Sequence, residues 1–273
     1  MIPVVDRVPT YPNRVKITKS NGTSEFVTWE RADEPVVEGT PINKALFDSL
    51  ETDIGLTAHT TVYVSRAGSD TLGNGSSANP YATITHALNR VPKKLNGYNA
   101  TLHIASGTYN ENIVVSGFAG GNVTFSGDSG ASVTIGSLTV ENGTALHITN
   151  ISLGVNGTNG TAGIVVQQAR LLCFENVFVT AAQKVGVYVA RNGFAMFATI
   201  AVNNTTSIAI HATSGATVYA ATIAGTGNTG IALQSSNGAR LTFNARTIAA
   251  TSNFLTMYGG RMYTGSQTQT PEY

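Results

Sequence analysis

A repeat of roughly 23 residues runs through the second half of this 273-residue chain and limits what it can fold into. Consider the runs Gly163-Ile164-Val165-Val166, Gly186-Val187-Tyr188-Val189, Ser207-Ile208-Ala209-Ile210, Gly230-Ile231-Ala232-Leu233 and Asn253-Phe254-Leu255-Thr256. Their second residues lie 23, 21, 23 and 23 apart. A second series starts half a repeat away. Leu146-His147-Ile148-Thr149-Asn150-Ile151-Ser152-Leu153 matches Leu172-Cys173-Phe174-Glu175-Asn176-Val177-Phe178-Val179 after 26 residues, and Ala195-Met196-Phe197-Ala198-Thr199-Ile200-Ala201-Val202 follows after 23 more. Apolar residues alternate within each run, so one side of each strand points inward. A unit this small cannot bury its inner face alone, but stacked units can. With about 4.8 Å between stacked strands, roughly seven coils make a rod near 35 Å long. Parallel crossovers are right-handed by strong preference. The expected fold is all-β: a single-stranded right-handed parallel β-helix over residues 58–264, with two or three strands per coil.

Asn150 and Asn176 occupy matching places between inward positions. Asparagine tolerates the left-handed backbone that a sharp corner needs, and stacked asparagines can form a ladder. Alternation from Leu172 and Phe174 points Cys173 outward as a free thiol.

Composition fits short strands joined by tight turns. Hydrophobic residues make up 42% of the chain. Charged residues make up 11%, less than half the usual share of about 25%. Residues 1–53 hold nine acids against six bases, whereas residues 129–273 hold three acids against six bases. That gradient places a domain boundary near residue 55. The bases are few and scattered, which excludes a nucleic-acid interface. Cys173 is the only cysteine, so there is no disulfide framework and no cysteine-based metal site. Met1-Ile2-Pro3 lacks the basic start and apolar run of a signal peptide, and no apolar run is long enough to span a bilayer. Synthesis in a cytoplasm, without membrane insertion, is expected.

Three parts follow from these patterns. Residues 1–57 form a small N-terminal module. It holds the strand-like runs Arg14-Val15-Lys16-Ile17-Thr18 and Glu25-Phe26-Val27-Thr28-Trp29 around the turn Asn21-Gly22. A short amphipathic helix over 41–52 follows, with Thr40 as N-cap and Pro41 at its first position. The β-helix over 58–264 opens with the strand Thr61-Val62-Tyr63-Val64, a polar loop, and a capping helix over about 80–91. Residues 265–273 form a polar C-terminal tail.

The stretches Val62-Tyr63-Val64-Ser65, Gly68-Ser69-Asp70, Asn79-Pro80-Tyr81-Ala82-Thr83-Ile84 with Ala87, and Leu102-His103-Ile104-Ala105-Ser106-Gly107-Thr108-Tyr109-Asn110-Glu111 resemble the start of pectin-lyase-like β-helices. The resemblance spans about residues 60–264 and implies the fold more than any activity, because lyases, hydrolases, esterases and viral spikes share it. The opening Met1-Ile2-Pro3-Val4-Val5-Asp6-Arg7-Val8-Pro9-Thr10, with Trp29-Glu30-Arg31-Ala32-Asp33-Glu34-Pro35 and Glu38-Gly39-Thr40-Pro41-Ile42-Asn43, is similar to the start of tail proteins in phages and prophages of Gram-positive bacteria. That similarity implies a virion-docking module, a tail spike or tail fibre, and a homotrimer. It also implies other tail or baseplate proteins as partners of residues 1–57, and a host bacterial cytoplasm as the place of synthesis.

Chemistry is harder to place. A glycosidase needs two carboxylates flanking the scissile bond, and a calcium-dependent lyase needs an acid cluster. From residue 100 on, the acids are Glu111, Asp128, Glu141, Glu175 and Glu272. Glu141 and Glu175 stand about one and a half coils apart and should not converge. The paired aspartates of the esterases of this fold have no counterpart, since no aspartate follows Asp128. The five histidines show no metal-ligand spacing. No catalytic residue, metal or cofactor is therefore assigned, and the expectation leans away from an enzyme. A binding strip is the better candidate: Gln167, Gln168, Arg191, His211 and Gln234 fall just beyond inward strand ends and, with the Tyr188 ring, offer amides, a cation and an aromatic face suited to a glycan. Tyr219 and Tyr258 are further candidate rings.

These readings converge on a virion protein, a phage tail appendage that recognises and attaches to the host surface, with cell-surface polysaccharide as the candidate ligand. The alternatives are a polysaccharide-degrading depolymerase of the same fold and a head fibre or decoration protein.

Overall fold

The computed structural model describes residues 14–18, 24–28, 55–128, 133–154, 162–180 and 184–264. The chain divides into two units, Met1–Ile54 and Gly55–Tyr273. In the first, β1 (Arg14–Thr18) and β2 (Ser24–Thr28) pair antiparallel, with Lys16 opposite Phe26. The Asn21-Gly22 turn, the helix expected over 41–52 and the tail 265–273 lie outside the described residues.

The second unit is a parallel β-solenoid of about seven turns, the architecture expected from the repeat. Its elements are β3 (Thr60–Val64), α1 (Ile84–Asn89), β4 (Asn99–Ile104), β5 (Gly107–Ser116), β6 (Asn122–Gly127), β7 (Val133–Glu141), β8 (Ala145–Gly154), β9 (Ala162–Gln167), β10 (Arg170–Thr180), β11 (Val185–Ala190), β12 (Phe194–Asn203), β13 (Ile208–Ala212), β14 (Thr217–Gly225), β15 (Ile231–Ser236), β16 (Arg240–Ile248), β17 (Ser252–Met257) and β18 (Arg261–Thr264). The longer strands bend midway, and each half joins a different face. The first face stacks β3, β4 and β6, then the first halves of β8, β10, β12, β14 and β16, then β18. The second face stacks the starts of β5 and β7 and the second halves of β8, β10, β12, β14 and β16. The third stacks the ends of β5 and β7 with β9, β11, β13, β15 and β17.

Inward residues form ladders along the axis. On the first face Leu102, Phe125, Ile148, Cys173, Phe197, Ala220 and Phe243 stand in register, none more than 3% exposed. Large and small side chains interleave along this ladder, as close packing of an interior requires. Each large apolar side chain so buried contributes roughly 1.5–3 kcal/mol. Val115, Val140, Val166 and Val189 build the matching ladder on the third face.

Two register readings change. Leu171 pairs with Leu146 and Cys173 with Ile148, a spacing of 25, while Val177 pairs with Ile151, the expected 26. An irregularity between Cys173 and Glu175 takes up the extra residue. A one-residue slip reverses inside and outside. Cys173 is therefore buried, 1% exposed, and Phe174 lies outside at 45%. On the third face Val187 pairs with Ile210, not Ile208, and Phe254 pairs with Leu233, not Ile231. These slips are of two residues, so the inward parity survives.

Corners use left-handed backbone where the sequence offers asparagine or glycine. Asn142, Asn150, Asn192, Asn204 and Asn237 all have φ between 49° and 59°. Asn150 thus adopts the conformation expected of it; the Asn176 side chain lies outside the description. The buried Asn228 ties three coils together. Its Oδ1 accepts from the Thr205 N–H at 3.0 Å and hydroxyl at 2.7 Å, and its Nδ2 donates to the carbonyls of Val202 (3.0 Å) and Ala249 (3.3 Å).

The N-terminal end is covered by α1, which buries Ile84, Ala87 and Leu88. It is shorter than the expected span 80–91. Tyr81 is held by a parallel bridge to Val64, and Thr83, in extended backbone, accepts from the His86 N–H. At the last coil, Arg246 stands in register with the inward Ile223. Its guanidinium lies 4.5 Å from the Phe254 ring, which stacks on Phe243.

Candidate functional site

The carboxylates come first, because they decide between chemistry and support. Asp70 accepts from the N–H groups of Ala82 (2.8 Å) and Thr83 (3.1 Å) and from the Thr83 hydroxyl (2.7 Å). Burial pushes its carboxyl up, but these hydrogen bonds, with the nearby His86, outweigh that and hold it below its ordinary value. Glu111 reaches from β5 to accept from the N–H groups of Ile84 (3.0 Å) and Thr85 (2.8 Å), closing the start of α1. Asp128 accepts from the Ser106 N–H at 3.2 Å and lies 3.6 Å from the His103 ring nitrogen. Glu141 ends β7 on the third face and accepts from Asn142 at 3.3 Å. Glu175 is exposed on β10, at the bend between the first and second faces. Among the described residues these acids sit at separate places, and no three His, Cys, Asp or Glu side chains cluster to hold a metal.

The histidines are likewise dispersed. Burial, with Arg170 nearby, holds His147 below the usual histidine value, and its ring meets Phe174 edge-on at 5.3 Å. Burial pushes the Cys173 thiol far up, so it is a packed side chain and a poor nucleophile.

The six candidate glycan-contacting residues divide into two columns. Tyr188, His211 and Gln234 are in register on β11, β13 and β15, outward on the third face. All three are half-buried. The rings of Tyr188 and His211 meet edge-on at 5.3 Å, and His211 Nε2 is 3.2 Å from the Ser236 hydroxyl. Burial keeps His211 below the ordinary histidine value. Val165 and Leu255 extend the column on either side.

Gln168 and Arg191 belong to the corner that follows the third face. Both are exposed and left-handed, with φ of 49° and 52°. The Gln168 N–H donates to the Arg191 carbonyl at 3.2 Å, so the two turns are stacked. Gln167 lies between the columns, in register with Ala190 and Glu141. The structure thus brings together Tyr188 with His211 and Gln234, and separately Gln168 with Arg191.

An open hollow at this corner is lined by Gln168, Arg170, Arg191, Asn192 and Phe194. Arg170 was missed as a candidate because it starts β10, where an outward base looks like ordinary surface. Its guanidinium lies 5.5 Å from the Phe194 ring centroid, in the next coil. Tyr219 and Tyr258 lie elsewhere: Tyr219 is on the first face, accepting from Asn244 at 2.9 Å, and Tyr258 is in a turn, 77% exposed.

The sequence matches no protein-family model and no curated protein.

Proposed function

We propose that this chain is a virion protein, a phage tail spike or tail fibre that recognises host-surface polysaccharide without cleaving it. The observation that carries the binding part is the column Tyr188, His211, Gln234. Three side chains able to stack on or hydrogen-bond a sugar stand in register on consecutive coils. At the strand spacing of about 4.8 Å, neighbouring rungs match the reach of a single sugar ring. An imidazole, a phenol and an amide offer donors, acceptors and ring faces, which suits hydroxyl-rich ligands.

The virion part is supported by the similarity of residues 1–43 to the start of phage tail proteins. A β-solenoid is compatible with that reading and is shared with enzymes. The binding-only part is supported by the structural tasks of Asp70, Glu111 and Asp128 in the described coils. Attachment to other tail proteins through residues 1–57, a homotrimer, and residence in the virion belong to the same proposal.

The test is binding of purified chain to a panel of surface polysaccharides from Gram-positive bacteria, with and without the double change Tyr188→Ala and His211→Ala. A loss of about tenfold or more, roughly 1.4 kcal/mol, is expected, with thermal unfolding little altered. Undiminished binding by the double variant would remove the column from the account.

A further inference from the structure

Two arginines from successive coils line one open hollow, and we infer that this hollow binds an anionic substituent of a glycan, a uronate carboxylate or a phosphodiester. The inference rests on the glycan-binding reading above and adds the charge of the ligand.

Three observations carry it. First, the fold brings Arg170 and Arg191 to the same hollow although they are separated in sequence. Arg170 begins the first face of one coil, and Arg191 lies in the corner of the next. Second, the hollow is held by backbone. Gly143 donates to the Gln168 carbonyl, Gln168 to the Arg191 carbonyl, and Asn192 to the Ser214 carbonyl, at 2.7, 3.2 and 3.0 Å. The contact of Arg170 with the Phe194 ring further restrains its guanidinium. Third, counter-charge is scarce. Between Glu141 and Glu272 the sequence holds one acid, Glu175, against six bases. Glu175 lies at a different corner, and Glu141, which ends β7 one coil below, directs its carboxylate to the Asn142 amide at 3.3 Å. Among the described residues neither arginine makes an ion pair.

An anion in the hollow that both arginines border would find two cationic side chains within one site. Their forked N–H groups match the paired oxygens of a carboxylate or phosphate. A chain lying across the third face would meet the Tyr188 column with its sugar rings and the hollow with its charge.

The experiment uses the full chain and three probes: polygalacturonate for the carboxylate, a poly(glycerol phosphate) polymer for the phosphodiester, and neutral dextran. Wild type is compared with Arg170→Gln/Arg191→Gln and with Arg240→Gln/Arg261→Gln, which removes the same charge elsewhere. At least one anionic probe is expected to bind, and whichever binds identifies the anion. The hollow variant is expected to lose about tenfold, and the control less than about twofold. An equal loss in both variants would reduce the effect to general electrostatics and overturn the site. If dextran binds as well as the anions and the hollow variant is unaffected, the inference fails while the glycan reading stands. If no glycan binds, both fall. Circular dichroism and thermal unfolding matched to wild type confirm folding. Arg170→Lys/Arg191→Lys, which keeps the charge but not the fork, is expected to fall between wild type and the Gln pair.

Discussion

The extra residue in β10 that puts Cys173 inside the coil also puts Phe174 outside it. Packed between Ile148 and Phe197, the thiol is shielded from reagents and held in its protonated form. Native protein is therefore expected to resist iodoacetamide for hours and to react fully once unfolded in denaturant; mass spectrometry of the alkylated protein reads this directly. Rapid labelling under native conditions would place the thiol on the surface. The sequence pointed the other way for a physical reason. Leu172-Cys173-Phe174 alternates as well as Leu171-Leu172-Cys173 does, and nothing in the composition marks where a bulge absorbs a residue. Asn150 was easier to read, because its need for positive φ is a property of the residue itself.

At the scale of elements, α1 depends on acids from outside it. Asp70 and Glu111 satisfy N–H groups at and just before its first turn, and the helix has no acid of its own there. Asp70 has its carboxyl held below the ordinary value of about 3.9. The sign follows: the stabilisation is fully present above that ordinary value and is lost as pH falls through the lower folded value. Asp70→Asn is expected to destabilise the N-terminal coil at neutral pH and to flatten this acid-limb dependence. Hydrogen exchange of the amides of α1 between pH 3 and 7 measures both effects; an unchanged acid limb would contradict the assigned role. The helix, the strand before it and the first coil were legible from residues 60–111. The three faces were less so, because strands such as β8 and β10 bend without a break in their apolar pattern. Two-residue slips on the third face were invisible too, since they preserve which side chains face in.

For the whole molecule, a solenoid gains stability by adding coils, each resting on its neighbours. Its outer surface is then available for binding. The candidate site was half legible. Residues spaced by one coil, such as His211 and Gln234, declare a column through their 23-residue separation. Arg170 and Arg191 do not, because their meeting depends on how a corner closes. The resemblance of the N-terminus implies a trimer, so the mass in solution is expected near 85 kDa, three times 28.4 kDa. Light scattering after size-exclusion chromatography gives it, and a monomer would undermine the tail-spike reading.

Recognition without cleavage is the central claim, and one incubation tests it most directly. Purified chain is held with a panel of Gram-positive surface polysaccharides while bound ligand, new reducing ends and unsaturated uronate are followed together. The account predicts saturable binding to at least one polysaccharide with no growth of either product over time. Clear turnover of any of them, or binding to none, would contradict it.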